Sequence, residues 1–188
     1  MVLTPGAGAG RDHTALVSID RALAAEGIAV DRVDFAYRLA GRRAPDRPPV
    51  LIATVVDAAR ALADRLGVGP DRIALGGRSM GGRMCSMAVA EGFPAAALIL
   101  VSYPLHPPGK PGQPRTDHFP DIEVPCLFVS GTTDAFGTPE ELEAATAAIP
   151  GPVTHVWLQG GDHGLRRKDE ATAEAVRDWV AALQERGR

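Results

Sequence analysis

Apolar positions recur along this chain with two different periods, and the two take turns. Residues 14–26 place Leu16, Ile19 and Leu23 at helical spacing and stop at Gly27. Residues 51–66 carry Val55, Ala58, Ala59 and Leu62 on one stripe and stop at Gly67. Residues 81–92 turn Met84, Cys85, Ala88 and Val89 to one side, and 139–148 open with Glu140 and Glu141, which suit the positive end of a helix. The last helix spans 169–186, with Val176, Trp179, Val180 and Leu183 as its apolar stripe; Trp179 reads as packing between helix and sheet. Between these stand apolar runs too short for helices, at 2–4, 29–37, 72–75, 97–102, 126–130 and 153–158. In 29–37 the alternation is loose, through Val30, Val33 and Phe35. Strands that alternate with helices predict an α/β fold: a mostly or wholly parallel sheet of about six strands covered on both faces. Residues 38–49 are basic and proline-bearing, hence loop. Residues 103–125 hold seven of the chain's 16 prolines and no period, which predicts a long ordered loop.

The 188 residues suffice for one domain with a substantial core. Twenty Lys and Arg against 23 Asp and Glu give a net charge of −3, so no basic excess points to nucleic acid or an anionic membrane. No apolar run approaches the ~18 residues of a membrane span. Cys85 and Cys126 both sit on apolar stretches and read as core residues. Two lone cysteines, with no basic-then-apolar leader at the start, lead to the expectation of a cytoplasmic protein.

Parallel sheets gather function beyond the C-terminal ends of their strands, so those ends carry the candidate chemistry. After the third run comes Gly77-Arg78-Ser79-Met80-Gly81, a serine between glycines where a strand meets a helix. This G-x-S-x-G arrangement builds a nucleophile elbow, a turn so tight that only small neighbours let the chain pass. The pattern alone arises readily in a chain with 21 glycines. After the fifth run comes Gly131-Thr132-Thr133-Asp134, and after the sixth Gly160-Gly161-Asp162-His163-Gly164. A serine hydroxyl needs a base to become a nucleophile, an imidazole can take and return that proton, and a carboxylate fixes the imidazole tautomer. Ser79, Asp134 and His163 therefore form a candidate catalytic triad. Asp162 is a rival acid, disfavoured because adjacent side chains seldom face each other. The oxyanion donors would be the backbone N–H of Met80 and, from the loop Gly6-Ala7-Gly8, that of Ala7. The same loop fails as a dinucleotide fingerprint, because Arg11 and His13 fill the third-glycine positions, and no P-loop Gly-Lys-Ser/Thr is present.

Around these residues, Arg78 is a candidate for binding an anionic substrate, whereas Arg83 reads as a structural partner of an acid. Tyr103 and His106 are candidate substrate contacts if the 103–125 segment roofs the pocket; a surface excursion without a role is the alternative. His106, His118 and Asp117 lack the tight spacing of metal ligands, so no metal is expected.

The segments Pro5-Gly6-Ala7-Gly8-Ala9-Gly10-Arg11-Asp12-His13, Gly76-Gly77-Arg78-Ser79-Met80-Gly81-Gly82-Arg83, Ser102-Tyr103-Pro104-Leu105-His106-Pro107-Pro108-Gly109-Lys110, Gly131-Thr132-Thr133-Asp134-Ala135-Phe136-Gly137 and Gly161-Asp162-His163 together resemble a small α/β-hydrolase-like family related to dienelactone hydrolases. The resemblance covers nearly the whole chain. It implies an α/β-hydrolase fold with Ser79, Asp134 and His163 at the triad positions and no cofactor, and it implies no particular substrate. Two departures stand out. The family commonly opens the oxyanion loop with His-Gly, and here it is Pro5-Gly6. The chain also begins at what resembles the third strand of the full fold, so of the order 1-2-4-3-5-6-7-8 it would keep 4-3-5-6-7-8. That leaves the 29–37 strand as an edge and suggests a homodimer formed across it. The expected activity is serine-dependent cleavage of a small-acyl ester or thioester. The alternative is an inactive relative that serves as an interaction module, since fold alone does not guarantee activity.

Overall fold

Every residue of Leu98–Val101 and of Cys126–Gly131 is buried. Neighbouring side chains of a strand point to opposite sides, so such runs need cover on both faces. The computed structural model, which describes residues 1–186, supplies it. Strands β1 (Val2–Thr4), β2 (Asp31–Arg32), β3 (Leu75–Arg78), β4 (Leu98–Val101), β5 (Cys126–Gly131) and β6 (Val153–Leu158) form one sheet in the order β2-β1-β3-β4-β5-β6. Every pairing is parallel. This is the order expected from the family resemblance.

Helices α1 (Thr14–Ala25) and α6 (Asp169–Arg186) cover one face. There Leu16, Ile19 and Leu23 of α1 and Val176 and Val180 of α6 meet Leu3, Ile99, Val101, Leu127 and Val129 of the sheet. The other face carries α2 (Ala36–Leu39), α3 (Pro48–Leu66), α4 (Met80–Ala90) and α5 (Pro139–Thr146). Their apolar sides close on Val2, Leu75, Leu98, Leu100, Cys126 and Phe128. Each large side chain so buried is worth about 1.5–3 kcal/mol. Helix ends follow local chemistry: α3 stops at Gly67 in the left-handed conformation (φ 66°), and Thr138 and Glu141 form a reciprocal capping box on α5.

Two strands differ from expectation. The run at 72–75 becomes a 3₁₀ turn at Pro70–Arg72 followed by β3 three residues later. The strand expected to end at Leu75 begins there instead and runs on through Gly76 and Gly77 to Arg78. A Cβ on Gly77 would lie 2.6 Å from the Gly82 nitrogen of α4, and one on Gly81 would lie 2.6 Å from the Pro5 carbonyl. Glycine is required here for close crossing of strand and helix, not for turning. The run at 29–37 shrinks to the two residues of β2, because Phe35 and Tyr37 leave the sheet edge and bury completely under α3, their rings stacked at 6.3 Å. The edge expected to offer a partner nine residues thus offers two. Their side chains are already engaged, Asp31 with Arg65 at 2.7 Å and Arg32 with Asp20 at 2.9 Å. Short charged edges blunt strand addition. Among the described residues no helix is long and apolar enough to cross a membrane.

The crossing is testable. Gly77→Ala should destabilise the fold by about 1–3 kcal/mol through overpacking, lowering Tm by roughly 3–10 °C for a chain of this size. Unchanged thermal unfolding by circular dichroism would contradict the tight contact.

Candidate active site

Ser79 sits between β3 and α4 with φ 51° and ψ −118°, a conformation non-glycine residues rarely adopt. Such a residue costs on the order of 1–3 kcal/mol. The surroundings over-determine it: the Ser79 N–H donates to the Val101 carbonyl at 2.8 Å, and its own carbonyl accepts from the Arg83 N–H at 3.1 Å. Although Ser79 occupies the N-cap position, its side chain makes no cap hydrogen bond. The Oγ instead lies 2.9 Å from His163 Nε2.

His163 arrives on the loop after β6, and Asp134 on the turn after β5. The His163 Nδ1 lies 2.8 Å from Asp134 Oδ2 and 3.0 Å from Oδ1. A carboxylate only accepts, so Nδ1 carries the proton; in the neutral ring Nε2 is then the acceptor for the serine hydroxyl. The Asp134 side chain is 2% exposed, and its Oδ1 also accepts from the Phe136 N–H at 2.8 Å. Asp162, the rival acid, is exposed, and the His163 Nδ1 contacts go to Asp134 instead. The two loops are clamped to each other. Thr133 donates to the Gly161 carbonyl through both its N–H (2.9 Å) and its hydroxyl (2.8 Å), and a Cβ on Gly131 would strike that same carbonyl. The Phe136 ring stacks on the imidazole at 3.9 Å, and Arg78 Nη2 donates to the His163 carbonyl at 2.7 Å.

Across the serine, Gly6, Ala7 and Gly8 form one wall of a cavity of about 450 Å³, with Met80 at its edge. Among the described residues neither the Met80 nor the Ala7 N–H has an acceptor within the protein. The loop runs close to the elbow at Gly6, where a Cβ would lie 3.5 Å from Ser79 Cβ and 3.2 Å from Arg78 Nη1. Tyr37, invisible as a site residue in the sequence, donates its hydroxyl to the Ala7 carbonyl at 2.6 Å and anchors the loop from below. Pro104, Arg83, Arg115 and Phe136 complete the lining.

Not every candidate reaches the cavity. Tyr103 is buried beneath it, its ring against Phe119 and Phe128 and its hydroxyl donating to the Arg115 carbonyl at 2.7 Å. An apolar residue bearing a hydroxyl looks like a contact in sequence, but here it fixes the loop that forms the wall. His106 faces a separate recess against α5, with Nδ1 2.8 Å from the Pro107 carbonyl and Nε2 3.3 Å from Glu141. Arg83, expected to pair with an acid, has no carboxylate within ion-pair reach among the described residues. Arg78 does line the cavity, although its hydrogen bond goes to the His163 backbone; burial weakens its hold on its proton, against Asp134, Asp162 and Asp169. His118 pairs with Ser86 of α4 at 2.8 Å, and burial pushes its pKa down to about 4. Among the described residues no cluster of three or more His, Cys, Asp or Glu side chains is placed to hold a metal ion.

The match to known proteins follows the same outline. A family model described as an alpha/beta hydrolase domain matches residues 1–186, and the chain belongs to that family. Among solved structures, it is similar to an alpha-beta serine hydrolase homologue from Coxiella burnetii (TM-score 0.78, 19% identity, 95% of this chain and 83% of that one). It is also similar to a dienelactone hydrolase from Anabaena variabilis (0.75, 19%, 96% and 85%). An α/β serine hydrolase without lid from Xanthomonas campestris gives 0.77 at 18% identity, over 96% and 81%. At these identities the likeness defines the fold, that of an α/β hydrolase.

The His106 pair makes a pH prediction. Its pKa is raised, first by the Pro107 carbonyl and then by Glu141. A raised folded-state value stabilises the fold below the ordinary imidazole pKa of ~6.5 and loses that contribution as pH climbs through the higher one. The Tm of His106→Gln should therefore fall less than wild type over that rise. Parallel Tm–pH curves would contradict the pairing.

Proposed function

We propose that this protein is a serine hydrolase that cleaves an ester or thioester of a small acyl group. The observation that carries the reading is the continuous contact from Ser79 Oγ through the His163 ring to the buried Asp134 carboxylate. In acylation the Ser79 Oγ attacks the substrate carbonyl carbon while its proton passes to His163 Nε2. The Nδ1 proton stays with His163, and Asp134 stabilises the resulting imidazolium. The negative charge gathering on the carbonyl oxygen is met by the free N–H groups of Met80 and Ala7. Collapse of the tetrahedral intermediate breaks the bond to the leaving oxygen or sulfur, which takes the proton from Nε2. Water then attacks the acyl carbon, gives a proton to the same nitrogen, and the acid leaves as Ser79 regains its hydrogen. The protein's own residues balance every step, so the reading calls for no cofactor. The substrate is a small molecule rather than nucleic acid or membrane. A cytoplasmic setting suits Cys85 and Cys126, both unpaired, both buried, and both pushed up to about 12 by burial.

Fluorophosphonate labelling followed by intact mass tests the reading. Wild type should gain one adduct, and Ser79→Ala and His163→Ala none. Turnover of phenyl acetate should fall by on the order of 10⁴-fold or more in both variants. Tyr37→Phe should react roughly tenfold or more slowly because the Ala7 donor loses its anchor. Folded wild type that neither takes the label nor turns over any ester or thioester would sink the hydrolase reading and favour the interaction module.

A further inference from the structure

The cavity above Ser79 is positively charged in a way the proposed chemistry does not require. Arg78, Arg83 and Arg115 all line it, and no acidic side chain does. Elsewhere Arg11, Arg32, Arg42, Arg65 and Arg177 each lie within 4 Å of an aspartate, whereas arginines without such a partner, among them Arg21, Arg43, Arg47, Arg60 and Arg72, stand exposed to water, unlike the half-buried Arg83 and Arg115. Arg78 is committed to the His163 carbonyl. Arg83 and Arg115 are not committed to any carboxylate, and the Nε of Arg83 is buried without a hydrogen-bond partner. They are close enough that Arg115 feels the other charge: burial and then the Arg83 guanidinium pull the Arg115 pKa down.

Both arginines are half-buried, and both are placed by a fixed backbone. Arg83 stands one turn into α4, its N–H bonded to the Ser79 carbonyl at 3.1 Å. Arg115 is held on both sides of its backbone, its N–H on the Leu105 carbonyl at 2.8 Å and its carbonyl under the Tyr103 hydroxyl at 2.7 Å. Holding two guanidinium groups together, half-buried and without a counterion, costs free energy, and a bound anion reverses the sign of that term. Planar guanidinium forks match the two oxygens of a carboxylate.

We propose that Arg83 and Arg115 form a carboxylate-binding subsite, and that the substrate is an ester or thioester bearing a free carboxylate. The subsite rests on the hydrolase reading for its link to catalysis, while its affinity for anions does not. The carboxylate belongs to the acyl part or to the leaving group.

Two matched pairs separate these cases: monophenyl adipate against phenyl hexanoate, and 3-carboxyphenyl acetate against phenyl acetate. Wild type should show a kcat/KM at least tenfold higher for the anionic member of one pair, and which pair identifies the end that carries the charge. In Arg83→Met, Arg115→Gln and the double variant that ratio should fall at least tenfold, chiefly through KM, and Lys at either position should restore part of it. Calorimetric titration with adipate and 3-hydroxybenzoate reads the subsite without turnover: wild type should bind at least one, at least tenfold more tightly than the double variant. If Ser79 labels with fluorophosphonate but neither anionic ester is preferred, the subsite is refuted and the hydrolase reading stands. If Ser79 is inert yet the anions bind in an arginine-dependent way, the hydrolase reading fails and the subsite stands. Binding unaffected by the arginine substitutions, or no binding by folded wild type, overturns the proposal.

Discussion

The side-chain-free crossing of β3 and α4 is the constraint on which the site depends. Gly77 in the strand and Gly81 and Gly82 in the helix let backbone approach backbone at distances a Cβ would forbid. Once α4 is that close, the residue joining it to β3 must turn within a single position, and Ser79 takes the strained φ of 51°. The strain, about 1–3 kcal/mol, is offset by buried partners that exist for other reasons: the Val101 carbonyl in β4 and the apolar side of α4 against the sheet. The crossing also brings β1 beneath the elbow, so the loop leaving β1 at Pro5 passes within reach of the serine. One local requirement thereby sets the position of Ser79, the free N–H of Met80 and the opposing wall from Gly6 to Gly8.

The other two members of the candidate triad reach the serine by a different device. Neither Asp134 nor His163 lies in a regular element, and each alone would be free to wander. Thr133 ties the acid turn to the Gly161 carbonyl of the histidine loop, Phe136 covers the imidazole, and Arg78 holds the His163 carbonyl. The arrangement is preorganised through backbone contacts of loop with loop. The most direct electrostatic consequence is the fixed tautomer, since a buried carboxylate beside Nδ1 leaves Nε2 as the acceptor.

Much of the architecture was legible because it is written in apolar periodicity. The helices and the central strands declare themselves through residues such as Leu16, Val55 and Ile99, whose spacing has one sensible reading. The misreadings share a cause: a residue's meaning was set by contacts across the chain. Gly76 and Gly77 fell outside the expected strand because propensity describes a glycine's freedom, whereas here its missing side chain matters. Phe35 and Tyr37 read as strand because their ring burial under α3 is a tertiary event. The acid-to-histidine order at strand ends was visible, and the geometry brings those residues together. Arg83 and Arg115 were not assigned to the cavity, because 32 positions separate them and nothing local distinguishes a paired arginine from an unpaired one.

The 103–125 segment joins these threads. A long proline-rich stretch invites description as a lid, yet its contacts describe a wall. Phe119 is fully buried against Tyr103 and Phe128, and the Tyr103 hydroxyl holds the Arg115 carbonyl. The Ser86 hydroxyl gives its one proton to the Arg83 carbonyl, so His118 Nε2 must be the donor to Ser86 Oγ at 2.8 Å. Burial disfavours the charged form of that histidine, pushing its pKa down to about 4. The segment is thus bolted to the helix that begins with the nucleophile, and Arg115 is carried on that rigid frame beside Arg83. Moving the backbone of either arginine away from the other would mean breaking contacts that have nothing to do with charge. The fold therefore places a local excess of positive charge at the cavity by packing, and that placement, made before any substrate arrives, is the physical ground of the proposed carboxylate subsite.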